Sequence, residues 1–342
     1  MNFASDNGAG VAPEILDAIV ASSRVNAPAY GADDHTARAQ ARLSDVFQTK
    51  VAAFLVTTGT AANALALSAL AKPWDAVFCH EEAHVIDDEC GAPEFFTHGA
   101  KLVPIAGDDA KLTPASIAAA LKHFQKGFVH HAQPKAISLT QATELGTVYA
   151  PDELAAISSL ARAEGLKLHV DGARFANALV GLGCTPAELS WKSGVDVLSF
   201  GATKNGALAA EAVIFFDAEA AADFEYRRKK SGHLLSKMRF VSAQLDAYLD
   251  GDHWVDNARH ANALAQRLAQ GLARAKDVTV AHPVQANAVF ARMPVALAKK
   301  LRAAGAVFYD WGVPENGAVL ARLMLSFATP EADVAKLIEA AS

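Results

Sequence analysis

The chain has 342 residues, of which 52% are hydrophobic and 20% charged, and its net charge is −6. This is ample material for a sizeable core and excludes a disordered chain; the length predicts one large domain with a smaller companion. The acidic balance disfavours nucleic acid or an anionic membrane as the main partner, because neutralising phosphates needs a basic face.

In chain order, short apolar runs alternate with longer helical ones. Ala52–Val56 (AAFLV) predicts a strand and Gly59–Leu70 an Ala/Leu-rich helix. Residues 76–79 (AVFC), 102–105 and 136–140 (AISLT) predict further strands. A helix opens at Pro151, with Asp152 and Glu153 complementing its dipole. Strands follow at 166–170, 195–200 and 212–216, then long helical stretches at 218–249 and 253–274, then an α+β tail. Alternating β and α elements argue for an α/β fold whose mostly parallel sheet is covered on both faces. The pattern changes after Phe216, and a boundary near Gly251-Asp252 divides the chain into a large domain, 1–250, and a small C-terminal α+β domain, 251–342. Three cysteines without C-x-x-C spacing, no signal-like N-terminus and no apolar run near ~20 residues predict a soluble, cytoplasmic protein.

Ligands in such folds sit beyond the carboxyl ends of the strands, so the residues there matter most. After AAFLV comes Thr57-Thr58-Gly59-Thr60-Ala61-Ala62-Asn63, running straight into a helix. A helix N-terminus of this kind reads as a phosphate cup or as an ordinary cap. After 166–170 comes Asp171-Gly172-Ala173-Arg174, two opposite charges that form a functional crevice or a structural ion pair. After 195–200 comes Gly201-Ala202-Thr203-Lys204-Asn205-Gly206, a lysine almost alone among uncharged residues. A lysine aimed into a crevice can lose its proton and attack aldehydes. Together the three signals fit pyridoxal 5'-phosphate (PLP). This cofactor needs an anion cup, a Schiff-base lysine and a carboxylate that keeps its ring nitrogen protonated.

The motifs then become specific. "SDN" at Ser5, "YGADD" at Tyr30, "TTGTAAN" at Thr57, "EEAH" ending in His84, "HVDGARFANAL" at His169, "TKNG" at Thr203 and "ARLMLSFATPEADV" at Ala321 occur in order over most of the chain. In these motifs the chain resembles the low-specificity threonine aldolases, which are fold-type I (aspartate-aminotransferase-like) PLP enzymes. The resemblance implies Lys204 as the Schiff-base lysine with Thr203 beside it, Asp171 on the ring nitrogen and His84 stacked on the ring. It implies Gly59 and Thr60 on the phosphate, and Ser5, Arg174 and Arg322 on the substrate carboxylate, with Arg174 also near the cofactor. Residues 1–24 would contribute to the site. Tyr30 and Lys229 match positions that reach a neighbouring subunit's site, which implies a homotetramer or a dimer with shared sites.

The implied reaction is cleavage of a β-hydroxy-α-amino acid between Cα and Cβ, giving glycine and an aldehyde. β-Elimination, racemisation and transamination are the neighbouring alternatives. The base for the β-hydroxyl proton stays open. Many relatives carry a histidine where "LTQATELGTVY" has Thr143, which leaves His84, a water, or His131 (or its neighbour His130) as alternatives. A different class of reading comes from His80-Glu81-Glu82-Ala83-His84, which fits the H-E-x-x-H pattern of zinc proteases. That chemistry needs both histidines on one helix face. Here the motif follows a strand, so no metal is expected.

Overall fold

The computed structural model describes residues 1–342. The chain begins with helices α1 (Pro13–Ser23) and α2 (Asp34–Val46), followed by strand β1 (Ala52–Val56) and α3 (Gly59–Leu70). Next come β2 (Asp75–His80), the short helices α4 (His84–Asp87) and α5 (Ala92–Phe96), β3 (Lys101–Ile105) and α6 (Pro114–Leu121). The centre holds β4 (Gln133–Thr140), α7 (Pro151–Ala163), β5 (Lys167–Gly172), α8 (Phe175–Leu182), β6 (Val197–Gly201) and β7 (Glu211–Phe215). Then follow α9 (Phe224–Lys230), α10 (Arg239–Tyr248) and α11 (His253–Leu272). The tail carries β8 (Thr279–Val280), β9 (Ala288–Pro294), α12 (Val295–Ala303), β10 (Tyr309–Asp310), β11 (Ala318–Met324) and α13 (Glu331–Ala341).

Seven strands form one sheet in the order β1-β7-β6-β5-β4-β2-β3. β7 runs against both its neighbours and every other pairing in the sheet is parallel. Because β1 and β6 both oppose β7, they point the same way. The carboxyl ends of β1, β6, β5, β4 and β2 therefore gather at one edge, where β7 enters with Glu211. Helices bury both faces, which is why β6 is buried along its whole length. Leu198 and Phe200 enter one core with Phe47 and Phe175, and Val197 enters the other with Val56 and Phe215. The alanines of α3 leave little bulk between the helix and the sheet, so it lies close over β4 to β7.

The second sheet is antiparallel, in the order β10-β11-β9-β8, and packs with α11, α12 and α13 around its own core. The chain's first residues join this unit. Phe3 is fully buried there, its N–H donates to Val307 O and its carbonyl accepts from Met324 N, both at 2.8 Å.

The strand expectations hold to within a few residues, with two differences that bear on function. β5 extends through Asp171 to Gly172, so the carboxylate belongs to the strand and is held by its ladder. The stretch expected as one helix over 218–249 is broken between α9 and α10, where Gly232 turns at φ +83° and His233 swings back to accept a hydrogen bond from Thr57.

Candidate active site

The gathered strand ends enclose a cavity of about 180 Å³ lined by Ser5, His84, Asp171, Arg174, Lys204 and Arg322, with Asn7, Thr140, Glu144 and Trp311 among the other walls. Seven separate segments of sequence thus meet in one crevice. Gly201 permits part of this closeness, because a Cβ there would stand 2.8 Å from Ala173 Cα, between the ends of β5 and β6.

Lys204 follows β6 in a short turn, and Thr203 pins that turn by accepting a hydrogen bond from Ala210 N at 3.2 Å. Burial, reinforced by the Arg174 charge, pulls the Lys204 amine below the usual lysine range. Glu211 sits behind it; burial lifts this carboxyl to about 7, and it accepts from Ala202 N at 3.1 Å.

Asp171 is linked to α3 through an amide that sequence reading missed. Asn63 Nδ2 donates to Asp171 Oδ2 and to Glu89 Oε1, each at 2.8 Å. His84 Nδ1 in turn donates to Glu89 Oε1 at 3.0 Å. That hydrogen bond, the largest influence on His84, raises the imidazole pKa, and burial raises that of Glu89. His84, Glu89 and Asp171 bring three possible ligand atoms within 4.8 Å, but the Asn63 amide occupies the space a cation would need. Below them His169 is fully buried between Ser138 and Ser199, its two ring nitrogens 2.9 and 3.0 Å from the hydroxyls, and burial lowers its pKa to about 4.

The two arginines differ in their partners. Arg174 donates from Nε and Nη2 to Asp6, at 2.7 and 2.9 Å, and Asn287 supports the same carboxylate. Burial opposes charge on Asp6, yet Arg174, helped by Lys204 and Asn287, outweighs it and holds the carboxyl at about 2. Arg322 lies on β11 with its guanidinium 5.2 Å from the Trp311 ring centroid, and its Nε is buried with no partner. Burial and the neighbouring Arg174 charge pull it down to about 10. A buried cation without an acceptor is costly unless a ligand supplies one.

Other expected residues lie at or beyond the rim. Gly59 and Thr60 form the first turn of α3, whose N-cap Thr58 already accepts from Ala61 N at 3.1 Å. Ser5 lines the cavity and accepts from Asn7 N at 3.1 Å. Tyr30 and Lys229 meet each other on the surface, the ammonium 4.7 Å from the ring centroid, and neither lines the cavity of its own chain. His131 is a correction. It precedes β4 at the opposite end of the sheet, on the order of 20 Å from that strand's carboxyl end, where it is exposed and accepts from Gln125 N. A histidine before a strand and a cavity after it cannot meet. Thr143 also turns away, its hydroxyl 2.7 Å from Thr147 Oγ1 inside the loop.

The zinc-protease pattern fails on geometry. His80 closes β2 and His84 opens α4, so the two share no helix face, and His80 Nε2 donates to Gly107 O at 2.9 Å.

A family model described as "Beta-eliminating lyase" matches residues 2–295. This chain belongs to that family. Within it, the chain is 48% identical to a low-specificity L-threonine aldolase of Pseudomonas aeruginosa, over 96% of this chain and 93% of that one. It is 47% identical to a protein of the same description from Pseudomonas sp. strain NCIMB 10558, over 98% and 95%. The solved threonine aldolase of Leishmania major superposes with a TM-score of 0.93 at 28% identity, covering 99% of this chain and 97% of that one. The threonine aldolase resemblance and the fold-type I α/β architecture are thereby borne out, and the lyase is of the carbon–carbon class.

The residues missed by sequence reading are Asp6, Asn63, Glu89, Glu144 and Trp311. Three of them lie inside stretches already singled out, "SDN", "TTGTAAN" and "LTQATELGTVY", and Glu89 follows "EEAH" by five residues. Their pairing partners, however, lie up to 281 residues away. Trp311 gave no signal.

Proposed function

We propose that this lyase uses PLP to cleave β-hydroxy-α-amino acids of the threonine type into glycine and an aldehyde. The observation that carries the reading is the unpaired Arg322 guanidinium facing the same cavity as the Lys204 amine. One group recognises a carboxylate and the other forms a bond with an aldehyde. The residues fit the cofactor: burial pulls the Lys204 amine below the usual lysine range, the α3 N-terminus presents donors for a phosphate, and Asp171, held by Asn63, offers the carboxylate a ring nitrogen needs. When bound, PLP supplies an acceptor for the electrons released at Cα.

In this reading Arg322, with the remaining donors of Arg174 and the hydroxyl of Ser5, holds the substrate carboxylate. That clamp sets which bond at Cα is broken. Glu89 orients the His84 imidazole as a flat wall against the cofactor ring. Gly59, Thr60 and Thr203 serve the phosphate end of the cofactor in this reading. Tyr30 and Lys229 face outward and serve a neighbouring copy, so the working unit is a homo-oligomer, a tetramer or a dimer with shared sites. The units 1–250 and 251–342 are the two domains, and three free cysteines suit the cytoplasm.

The experiment is direct. Protein loaded with PLP should be yellow and lose its visible band on borohydride reduction. L-Threonine should then yield acetaldehyde and glycine, and Lys204→Ala should abolish the reaction. Ammonia with a 2-oxo acid in place of acetaldehyde would instead mean β-elimination.

A further inference from the structure

We propose that Glu144 is the base that takes the substrate's β-hydroxyl proton, a role that rests on the retro-aldol reading above. The other side chains considered for this proton are engaged elsewhere or lie out of reach. Thr143 is bonded to Thr147 within the loop, and His131 lies at the far end of β4. His84 gives its Nδ1 hydrogen to Glu89, which favours the protonated ring, a poor proton acceptor. Glu144 is the next residue after Thr143 and, unlike it, lines the cavity.

Its two oxygens have different surroundings. Oε1 accepts from His84 N at 2.9 Å, which anchors the carboxylate beside the His84 ring. Oε2 is shielded from water and makes no hydrogen bond of ordinary length, although the Thr140 hydroxyl lies near enough to favour the charged carboxylate. A shielded acceptor with nothing to accept is costly, and a substrate hydroxyl would satisfy it. Burial lifts this carboxyl to about 7, close to where a general base works best. Around it stand Asp171, Lys204, Arg174 and Arg322, so the acceptor lies in the same chamber as the carboxylate clamp.

The step balances. The O–H bond of the β-hydroxyl breaks and its proton passes to Glu144 Oε2. The freed pair forms the aldehyde C=O as the Cα–Cβ bond opens, and that bond's pair stays on the Cα side. One proton then returns to Cα to complete glycine, so no net proton and no oxidant is consumed. The base is needed only for cleavage. Exchange of glycine's α-proton with solvent involves no β-hydroxyl.

This difference provides the test. The PLP-loaded full chain and its Glu144→Gln variant are compared in cofactor absorbance, in deuterium exchange at glycine Cα followed by NMR, and in acetaldehyde release from L-threonine. Glutamine keeps the oxygen that accepts from His84 N. The variant should bind PLP and exchange glycine within about threefold of wild type, while aldehyde release falls by about 10²-fold or more. Wild-type kcat/KM should rise up to about pH 7 and level off above it, and the variant should lack that limb. Aldehyde release near the wild-type rate, or equal loss of both reactions, overturns the proposal. If the variant does not fold, the wild-type profile decides, and one that is flat between pH 6 and 8 overturns it. Wild-type protein that exchanges glycine but releases no aldehyde would sink the retro-aldol reading itself, and this proposal with it.

Discussion

Asp6 and Arg174, 168 positions apart, hold each other through hydrogen bonds of 2.7 and 2.9 Å in a buried pair. The pair fastens the N-terminal segment to the loop after β5, and it changes which arginine is free. Arg174 comes to the cavity already neutralised, whereas Arg322 comes without a carboxylate.

Breaking a buried pair from one side leaves the other charge stranded, at a cost of about 3–5 kcal/mol. Asp6→Asn should therefore destabilise the protein by about that amount in urea unfolding. A loss under about 1 kcal/mol would show that the pair is dispensable.

Arg322 predicts the opposite balance. Its Nε is buried and unsatisfied, so Arg322→Met removes a strained cation. The melting temperature of the unliganded variant should stay level or rise. The KM for L-threonine should climb at least about tenfold, since hydrogen bonds to a charged group contribute about 1.5–3 kcal/mol. A variant that melts earlier yet binds substrate normally would contradict both halves.

His169 makes an acid-stability prediction. Its folded pKa, about 4, lies below the ordinary imidazole value of 6.5. The unfolded chain therefore takes up the proton first, and the contribution is present above pH 6.5 and lost as pH falls towards 4. Over that interval the loss amounts to about 3 kcal/mol. Glu144 and Glu211, both raised to about 7, act in the reverse sense, favouring the folded state more as pH falls from 7 to 4.5. The informative quantity is thus the difference between wild type and His169→Gln, which should shrink on acidification. A difference constant with pH would refute the assignment.

The H-E-x-x-H pattern can be tested at Glu81, which is exposed and outside the cavity. Glu81→Gln should leave acetaldehyde release within about twofold, and metal analysis should find no stoichiometric zinc. A zinc enzyme would lose nearly all activity on this change.

The sequence by itself determined the architecture and the main chemical groups. Apolar runs of strand length between helical ones report burial on both faces of a parallel sheet, a local pattern that any single segment displays. Lys204, Asp171 and the Thr57 to Asn63 turn were legible for the same reason, since each is an unusual residue at the end of such a run. Pairing, by contrast, belongs to the folded chain. Nothing near Arg174 in the chain announces Asp6, and nothing near Asp171 announces the amide of Asn63, 108 residues earlier. The choice of Glu144 over Thr143 and His131 depended on which way a loop turns its side chains and at which end of β4 each residue falls. Such facts come from contacts between segments distant in sequence, made when the sheet closes, and a linear pattern does not carry them.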